Sequence, residues 1–508
     1  MNNQTVYSSQ PSENIINLLD TVIKLGPKVL QNRVFVKSGL SLGEKWIWSE
    51  NRKRHKYDSD TPPGVIDDGT YLGLAILNSV ERAVSDYNVS PATFRAAIEI
   101  LGRDLFVEKK LRQEKSSKFL EQFGFNPPSF LVISPTKTCN LHCTGCYADS
   151  DVEVKSLPWD IVDKLVSDAH DLWGVQFIVI SGGEPMTYRS QGKSILDIVE
   201  KHKDILFMMY TNGTLITREV AQRIASLGNL VPAISLEGWR ERTDARRGKG
   251  VFDKVMLAMD NLYEAGSLLG VSLTATRENA EEILSEDFIE YIFHEKHALI
   301  GWIFQYMPIG RAYTLDLMPT PEQRIWMWNQ SWKMVREKRV FLADFWNSGT
   351  VVDGCLSAGG HGNGGYLYIE WNGNVTPCVF VPYSPVNANE IYAHGGNLND
   401  IYANPFFADI RQWQKNRHGK NLLAPCIIRD HNADLRQLIR THEPEPIDQN
   451  AWSAIQDPDY AKGLDRYDEK YQQLADEVWE KVYLHNGSHK KEECADSTEP
   501  NLAVEINL

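Results

Sequence analysis

Three cysteines within eight residues, Cys139-Asn140-Leu141-His142-Cys143-Thr144-Gly145-Cys146, are the densest group of reactive side chains in the sequence. Their spacing can bring three sulfurs onto one inorganic centre. Structural zinc is closed by four ligands and catalytic zinc draws more often on His and carboxylates, so zinc would need a partner such as His142. Thiols left unligated at this density would oxidise or bind metal. A four-iron cluster takes four thiolates when the protein saturates it. Supplying three leaves one iron open to a substrate or cofactor, and this is the preferred reading, with zinc as its alternative.

The elements that must position this loop are legible around it. From about residue 129, the apolar runs FLVIS, FIVIS, LFMMYT, AISLE, VSLTAT and WIFQYM alternate with helical patterns such as REVAQRIASLG, which Thr217 opens and Gly228 closes. Strands that are apolar throughout, with helices between them, imply a parallel sheet covered by helices. Six units predict an α/β fold, a partial (β/α)6 TIM-like barrel, although periodicity alone does not separate it from a doubly wound sheet. The cysteines follow the first strand, at the strand ends where such folds place active sites. Earlier residues read as helical: NIINLLDTVIKLGPKVL and a run opened by Ser90-Pro91, with SENRKRHKYDSDTPPG expected to be a loop. Thr320-Pro321-Glu322-Gln323 is a capping-box start, and YLYIEWNGNVTPC reads as a hairpin turning at Asn372-Gly373.

The CxxxCxxC loop and its neighbours resemble the radical S-adenosylmethionine (SAM) superfamily. That resemblance implies that SAM chelates the open iron and is cleaved to a 5′-deoxyadenosyl radical. Ser181-Gly182-Gly183-Glu184-Pro185 looks like the family's GGEP element, and Thr211-Asn212-Gly213 like its TNG. Ser235-Leu236-Glu237-Gly238, followed by Asp244 and Arg247-Gly248, is similar to the run found in members with a second cluster domain. By this match Ser235 and Glu237 face SAM, and Arg247 pairs with its carboxylate, Arg246 being the competitor. Thr276, Asn279 and Met307 stand where the family completes the pocket. One departure is Gly145 before the third cysteine, where many members carry an aromatic; here Tyr147 follows it.

Cys355, Cys378 and Cys426, with Gly373 five residues before Cys378, resemble the skeleton of the SPASM and twitch extensions, which hold auxiliary clusters. The resemblance implies a small twitch-like C-terminal domain with a second 4Fe-4S cluster. Its fourth ligand is left among Asp353, His361, Asp430, His431 and a substrate atom, with zinc or three unrelated buried thiols as alternatives. The chain then divides into a helical N-terminal extension (1–128), a barrel (129–318), an auxiliary-cluster domain (319–440), a helical segment (441–485) and a tail expected to be disordered (486–508). The implied activity is hydrogen abstraction from a C–H bond of an unidentified substrate. The auxiliary cluster would aid binding or oxidation, and a flavodoxin or ferredoxin would donate electrons. Gln305 and Arg311 are candidate substrate-lining residues, and the N-terminal helices a candidate cover for the barrel mouth.

Composition bounds the rest. With 67 acidic against 53 basic residues in 508, a nucleic-acid partner is not expected. No apolar run is long enough to span a bilayer and no signal-peptide pattern opens the chain, so a cytoplasmic protein is expected. Membrane-surface contact through the amphipathic helices stays open. Peptide or protein maturation stands against lipid, sugar or small-molecule modification as the substrate class, and the absence of a winged, β-rich domain ahead of the barrel leans slightly to a non-peptide substrate. The rival class is a non-catalytic iron–sulfur or zinc protein.

Overall fold

The computed structural model describes residues 33–85, 89–97, 99–100, 109–153, 155–362, 364–417 and 419–484. The helix expected over NIINLLDTVIKLGPKVL and the tail carrying Cys494 lie outside them.

The strands are β1 (Phe130–Ile133), β2 (Phe177–Ile180), β3 (Leu206–Thr211), β4 (Leu230–Leu236), β5 (Gly270–Ala275), β6 (Ile300–Gln305), β7 (Leu342–Asp344), β8 (Tyr366–Ile369), β9 (Asn374–Thr376), β10 (Tyr383–Ser384), β11 (Val386–Asn387) and β12 (Glu445–Pro446). Strands β1 to β7 pair in parallel and in chain order, with helices between successive strands of the barrel. The six apolar runs are β1 to β6, and the fold is a partial TIM-like barrel with helical extensions. The sheet is wider than those six units, because β7 adds beyond β6 and β8 pairs in parallel with β1 at the other edge. Eight parallel strands result, and β9 and β11 continue the β8 edge antiparallel. Two causes hid the extra strands in the sequence. The run of β7 is only three residues long, and β8 follows a Gly-rich loop rather than a crossover helix.

Local signals account for the helix ends. Thr217 Oγ1 accepts the Val220 N–H at 3.3 Å, and Gly228 closes helix Arg218–Leu227 with φ 81°. Thr320 and Gln323 make the reciprocal hydrogen bonds of a capping box at the head of helix Pro321–Glu337. SENRKRHKY corrects the expectation of a loop: helix Arg33–Tyr57 runs through it, leaving only 58–62 between helices. The polar residues there serve helix pairing. Buried Asn51 donates to Asp67 at 3.0 Å and Thr70 at 2.9 Å on helix Pro63–Ser85.

That second helix docks at the N-terminal ends of the strands. Ser79 donates to the Leu299 carbonyl at 2.7 Å, just ahead of β6, and Arg82 donates to Ala298 at 3.2 Å. Buried Asp68 ties it to Arg336, Thr350 and Tyr483. No described residue before Ser129 lines the central cavity, so these helices do not cover the barrel mouth as expected. No described helix is long and apolar enough to cross a membrane.

Candidate active site

A cavity of about 440 Å³ runs through the barrel from the first residues of β1 and β2, Phe130 and Phe177, to the C-terminal ends of the strands, where Cys139, Cys143 and Cys146 all line it. The loop carrying them is fastened by its backbone. Cys139 N–H donates to the Asp151 carbonyl at 2.7 Å, and Thr144 N–H donates to the Arg246 carbonyl at 3.0 Å. From beyond β6, the Arg311 guanidinium donates to the Cys143 carbonyl at 2.6 Å and to that of Ser150, and its backbone N–H donates to Cys146 at 2.9 Å. Gly310, at φ 71°, lies so close to this loop that a Cβ would sit 2.2 Å from the Tyr147 carbonyl oxygen. Arg311 therefore grips the cysteine loop and does not line the cavity, correcting its assignment as a substrate contact.

The GGEP element docks on the same loop. Gly183 donates its N–H to the Thr136 carbonyl at 2.9 Å, and Glu184 donates to Thr138 at 2.8 Å. Both glycines line the cavity, yet the close approach that demands glycine is to the chain itself: a Cβ on Gly183 would lie 2.2 Å from Thr138 O. The Glu184 carboxylate is buried and accepts from Thr211 Oγ1 at 2.7 Å, Asn212 N–H at 2.8 Å and Met186 N–H at 3.0 Å. It joins the exit of β2 to that of β3, while Thr211 and Asn212 line the cavity. Asn212 also brings its amide 3.9 Å from Cys139 Sγ.

Two arginines share one carboxylate oxygen. Glu237 Oε1 lies 2.6 Å from Arg246 Nη1 and 2.6 Å from Arg247 Nη2, and the buried Oε2 has no hydrogen-bond partner. Arg246 reaches on to the carbonyls of Thr144 at 3.1 Å and Gly145 at 3.4 Å. All three of its nitrogens are thus engaged, whereas Arg247 donates only to Glu237, through Nε and Nη2. Burial opposes the Arg247 charge, but Glu237 and the neighbouring thiols outweigh it and raise its pKa.

Of the residues singled out from sequence, Gly182, Gly183, Thr211, Asn212, Ser235, Arg247 and Met307 line the cavity. Glu184, Pro185, Glu237 and Thr276 stand behind it. Thr276 is turned into a loop by Asn279, whose Oδ1 accepts the Thr276 N–H at 2.6 Å and whose amide donates to the Glu237 carbonyl at 2.8 Å. Gln305 lines the cavity; its amide donates to Asp344 at 2.9 and 3.1 Å, and its Oε1 has no partner. Tyr147, after the third cysteine, also lines the cavity and lies 2.6 Å from Ser181 Oγ through its hydroxyl. The remaining wall is apolar, with Phe177, Tyr210, Trp302, Phe304, Phe345 and Phe380 prominent.

Burial pushes the Cys139 thiol up to about 12 and raises Cys143 too, although Arg247 pulls Cys143 back. A metal centre would offset that burial and hold them as thiolates.

A second, smaller cavity is lined by Cys355, Cys378 and Cys426 together with Trp346. Cys378 Sγ lies 2.9 Å from Tyr366 Oη on β8, a residue that also lines the main cavity. Burial raises the Cys378 thiol and pushes Cys426 up to about 12. Among the described residues, no His, Asp or Glu lines this cavity. Asp430 is locked to Arg324, with Oδ2 2.9 Å from Nη2. Both His431 nitrogens are taken, Nε2 by the Ala424 carbonyl at 2.9 Å and Nδ1 by Gln472 at 3.2 Å. Asp353 and His361 do not reach the cavity either. Among the described residues, no three His, Cys, Asp or Glu side chains are arranged to hold a single metal ion. Each cysteine set surrounds a space rather than a point.

Comparison with known proteins points to a family and a fold. The Radical SAM superfamily model matches residues 133–285. The mycofactocin maturase MftC of Mycolicibacterium smegmatis is 30% identical over 313 residues, 58% of this chain and 76% of that protein. The Fe-coproporphyrin III synthase of Methanosarcina barkeri is 32% identical over 172 residues, 34% of this chain and 43% of that protein. Among solved structures, Streptococcus suis SuiB bound to the precursor peptide SuiA has a TM-score of 0.50 at 18% identity, covering 63% of this chain and 76% of that one. That likeness is one of fold.

Proposed function

Because the chain belongs to the radical SAM superfamily, we propose that it abstracts hydrogen from a C–H bond of an apolar or aromatic group of a precursor peptide. The family's cofactors are a 4Fe-4S cluster and SAM, which together supply a 5′-deoxyadenosyl radical when bound. The residues fit these groups. Three thiols, that of Cys139 buried and those of Cys143 and Cys146 half-buried, line one cavity, and Arg247 keeps unengaged N–H groups beside a carboxylate that fixes its direction.

In this reading Cys139, Cys143 and Cys146 hold the cluster, with Arg311 and Gly310 fixing the loop that presents them. Arg247 receives the SAM carboxylate, and Arg246 braces the loop. Gly182, Gly183, Thr211, Asn212, Ser235 and Met307 form the SAM-facing wall. Glu184, Pro185, Glu237 and Thr276 support it from behind. The aromatic wall excludes water from the reacting carbon, and Gln305 Oε1 is an acceptor for one polar group of the substrate. Cys355, Cys378 and Cys426 hold an auxiliary cluster in the segment 319–440, beside the barrel 129–318, and Tyr366 stands between the two cavities. A flavodoxin or ferredoxin in the cytoplasm supplies the electron.

The convergence of the first three cysteines with Arg246 and Arg247 on one cavity carries this reading. The apolar lining supports an uncharged reacting group, and the maturase relative supports a peptide carrier against the leaning of the sequence. Anaerobic reconstitution with iron and sulfide, followed by dithionite and SAM, should yield 5′-deoxyadenosine. None above background would sink the enzyme reading. Precursor peptides bearing aromatic or aliphatic residues should stimulate that yield. Stimulation by a tetrapyrrole and not by peptides would move the substrate class to that of the second relative.

A further inference from the structure

Arg429 is fully buried, and none of its three guanidinium nitrogens makes a hydrogen bond. The neighbouring Asp430 offers charge but no acceptor: its Oδ1 stands 3.6 Å from Arg429 Nε. Both of its oxygens are already held by Arg324, and Oδ2 also accepts the Cys426 N–H at 3.1 Å. A buried donor without a partner is destabilising, and more so when it is charged. A guanidinium carries five such donors, so its native surroundings must provide an acceptor of considerable strength.

The position of Arg429 indicates which. Its guanidinium lies 4.7 Å over the ring of Trp346, a residue that lines the cavity between Cys355, Cys378 and Cys426. The Trp346 indole N–H is buried and also lacks an acceptor. One orphaned donor, Trp346, thus lines a cavity walled by three thiols and by no fourth ligating side chain, and a second, Arg429, stacks on Trp346 from behind.

We propose that Arg429 and Trp346 donate hydrogen bonds to an anionic iron–sulfur centre seated among Cys355, Cys378 and Cys426, with Arg429 as its buried counter-charge. The assignment rests on the auxiliary-cluster reading above and gives that centre a specific electrostatic partner. Arg429 is a positioning residue, not a ligand. A fixed cation favours the more negative, reduced state of a cluster, and hydrogen bonds to its sulfurs act the same way.

The test uses the full chain with Cys139, Cys143 and Cys146 all changed to Ala, so that only the second centre is loaded. Iron content and an EPR-monitored redox titration are compared with and without Arg429→Met. The substitution should shift the reduction equilibrium at least tenfold toward the oxidised centre, about 59 mV for a one-electron couple. Arg429→Lys, which keeps the charge, should recover most of that shift. An iron-loaded Arg429→Met protein with an unchanged midpoint overturns the proposal. Should Arg429→Met fail to load, Arg429→Lys decides: restored loading supports the assignment, and no loading overturns it. If the triple-Ala parent itself binds no iron, the auxiliary-cluster reading has failed instead.

Discussion

Arg311 Nη1 lies 2.6 Å from the carbonyl oxygen of Cys143, so the segment leaving the sixth strand holds the loop that follows the first. The grip is charge-assisted and includes Asp149, 3.3 Å from Nε. Arg311→Ala should cost about 1.5–3 kcal/mol of stability, the usual worth of hydrogen bonds to charged groups. Its clearer signature is selective. Iron at the first cysteine set should fall while the second set stays loaded, as read by iron content in Cys355→Ala and wild-type backgrounds. Equal loss from both would mean that Arg311 supports the fold at large.

The two arginines on Glu237 are predicted to divide their labour. Arg246 spans Glu237, Thr144 and Gly145, whereas Arg247 donates only to Glu237 and keeps N–H groups for a ligand. Arg247→Met should weaken SAM binding to the iron-loaded protein more than tenfold in equilibrium dialysis, with iron content retained. Arg246→Met should chiefly lower iron retention. The reverse pattern would exchange their roles.

How much of this was legible beforehand follows from the physics of each feature. Strands β1 to β5 are buried through most of their length and β6 at alternate residues, so they read as apolar runs, and the cysteine loop announced itself by composition. Strand β7 is three residues long, and β8 pairs with β1 across more than 230 residues of sequence, which no local pattern reports. The helix through SENRKRHKY was missed because its polarity serves Asn51 and an exposed face. Arg311 and Arg429 carry no motif; each matters through a partner distant in sequence or through lacking one. The partners of the Glu184 carboxylate, Thr211 and Asn212, lie 27 and 28 residues away, so no local pattern reports them.

Gly183 tests whether the GGEP element serves the chain or only a ligand. A Cβ there would sit 2.2 Å from Thr138 O and 2.6 Å from Lys137 O, both backbone atoms just ahead of Cys139. Gly183→Ala should therefore destabilise the chain by roughly 1–3 kcal/mol, as overpacking does, and displace the loop. Lower unfolding temperature in the iron-free chain would confirm this. A loss seen only in SAM binding would return the glycine to a purely ligand-facing role.

Glu370, just past β8, predicts a pH dependence. Burial, reinforced by the negative charge of Asp448 and opposed by Lys137, pushes its carboxyl up to about 8. The ordinary glutamate value is about 4.3. Between those values the folded chain keeps a proton that the unfolded chain has released. Stability is therefore full below the unfolded value and declines as pH rises toward 8, at up to about 1.4 kcal/mol per pH unit for one proton. Glu370→Gln cannot ionise and should lose this slope, matching the wild type near pH 5 and exceeding it near pH 8. Anaerobic thermal unfolding across that range checks the sign. A wild-type protein that gains stability relative to the variant as pH rises would show that Glu370 is ionised and paired in the folded state.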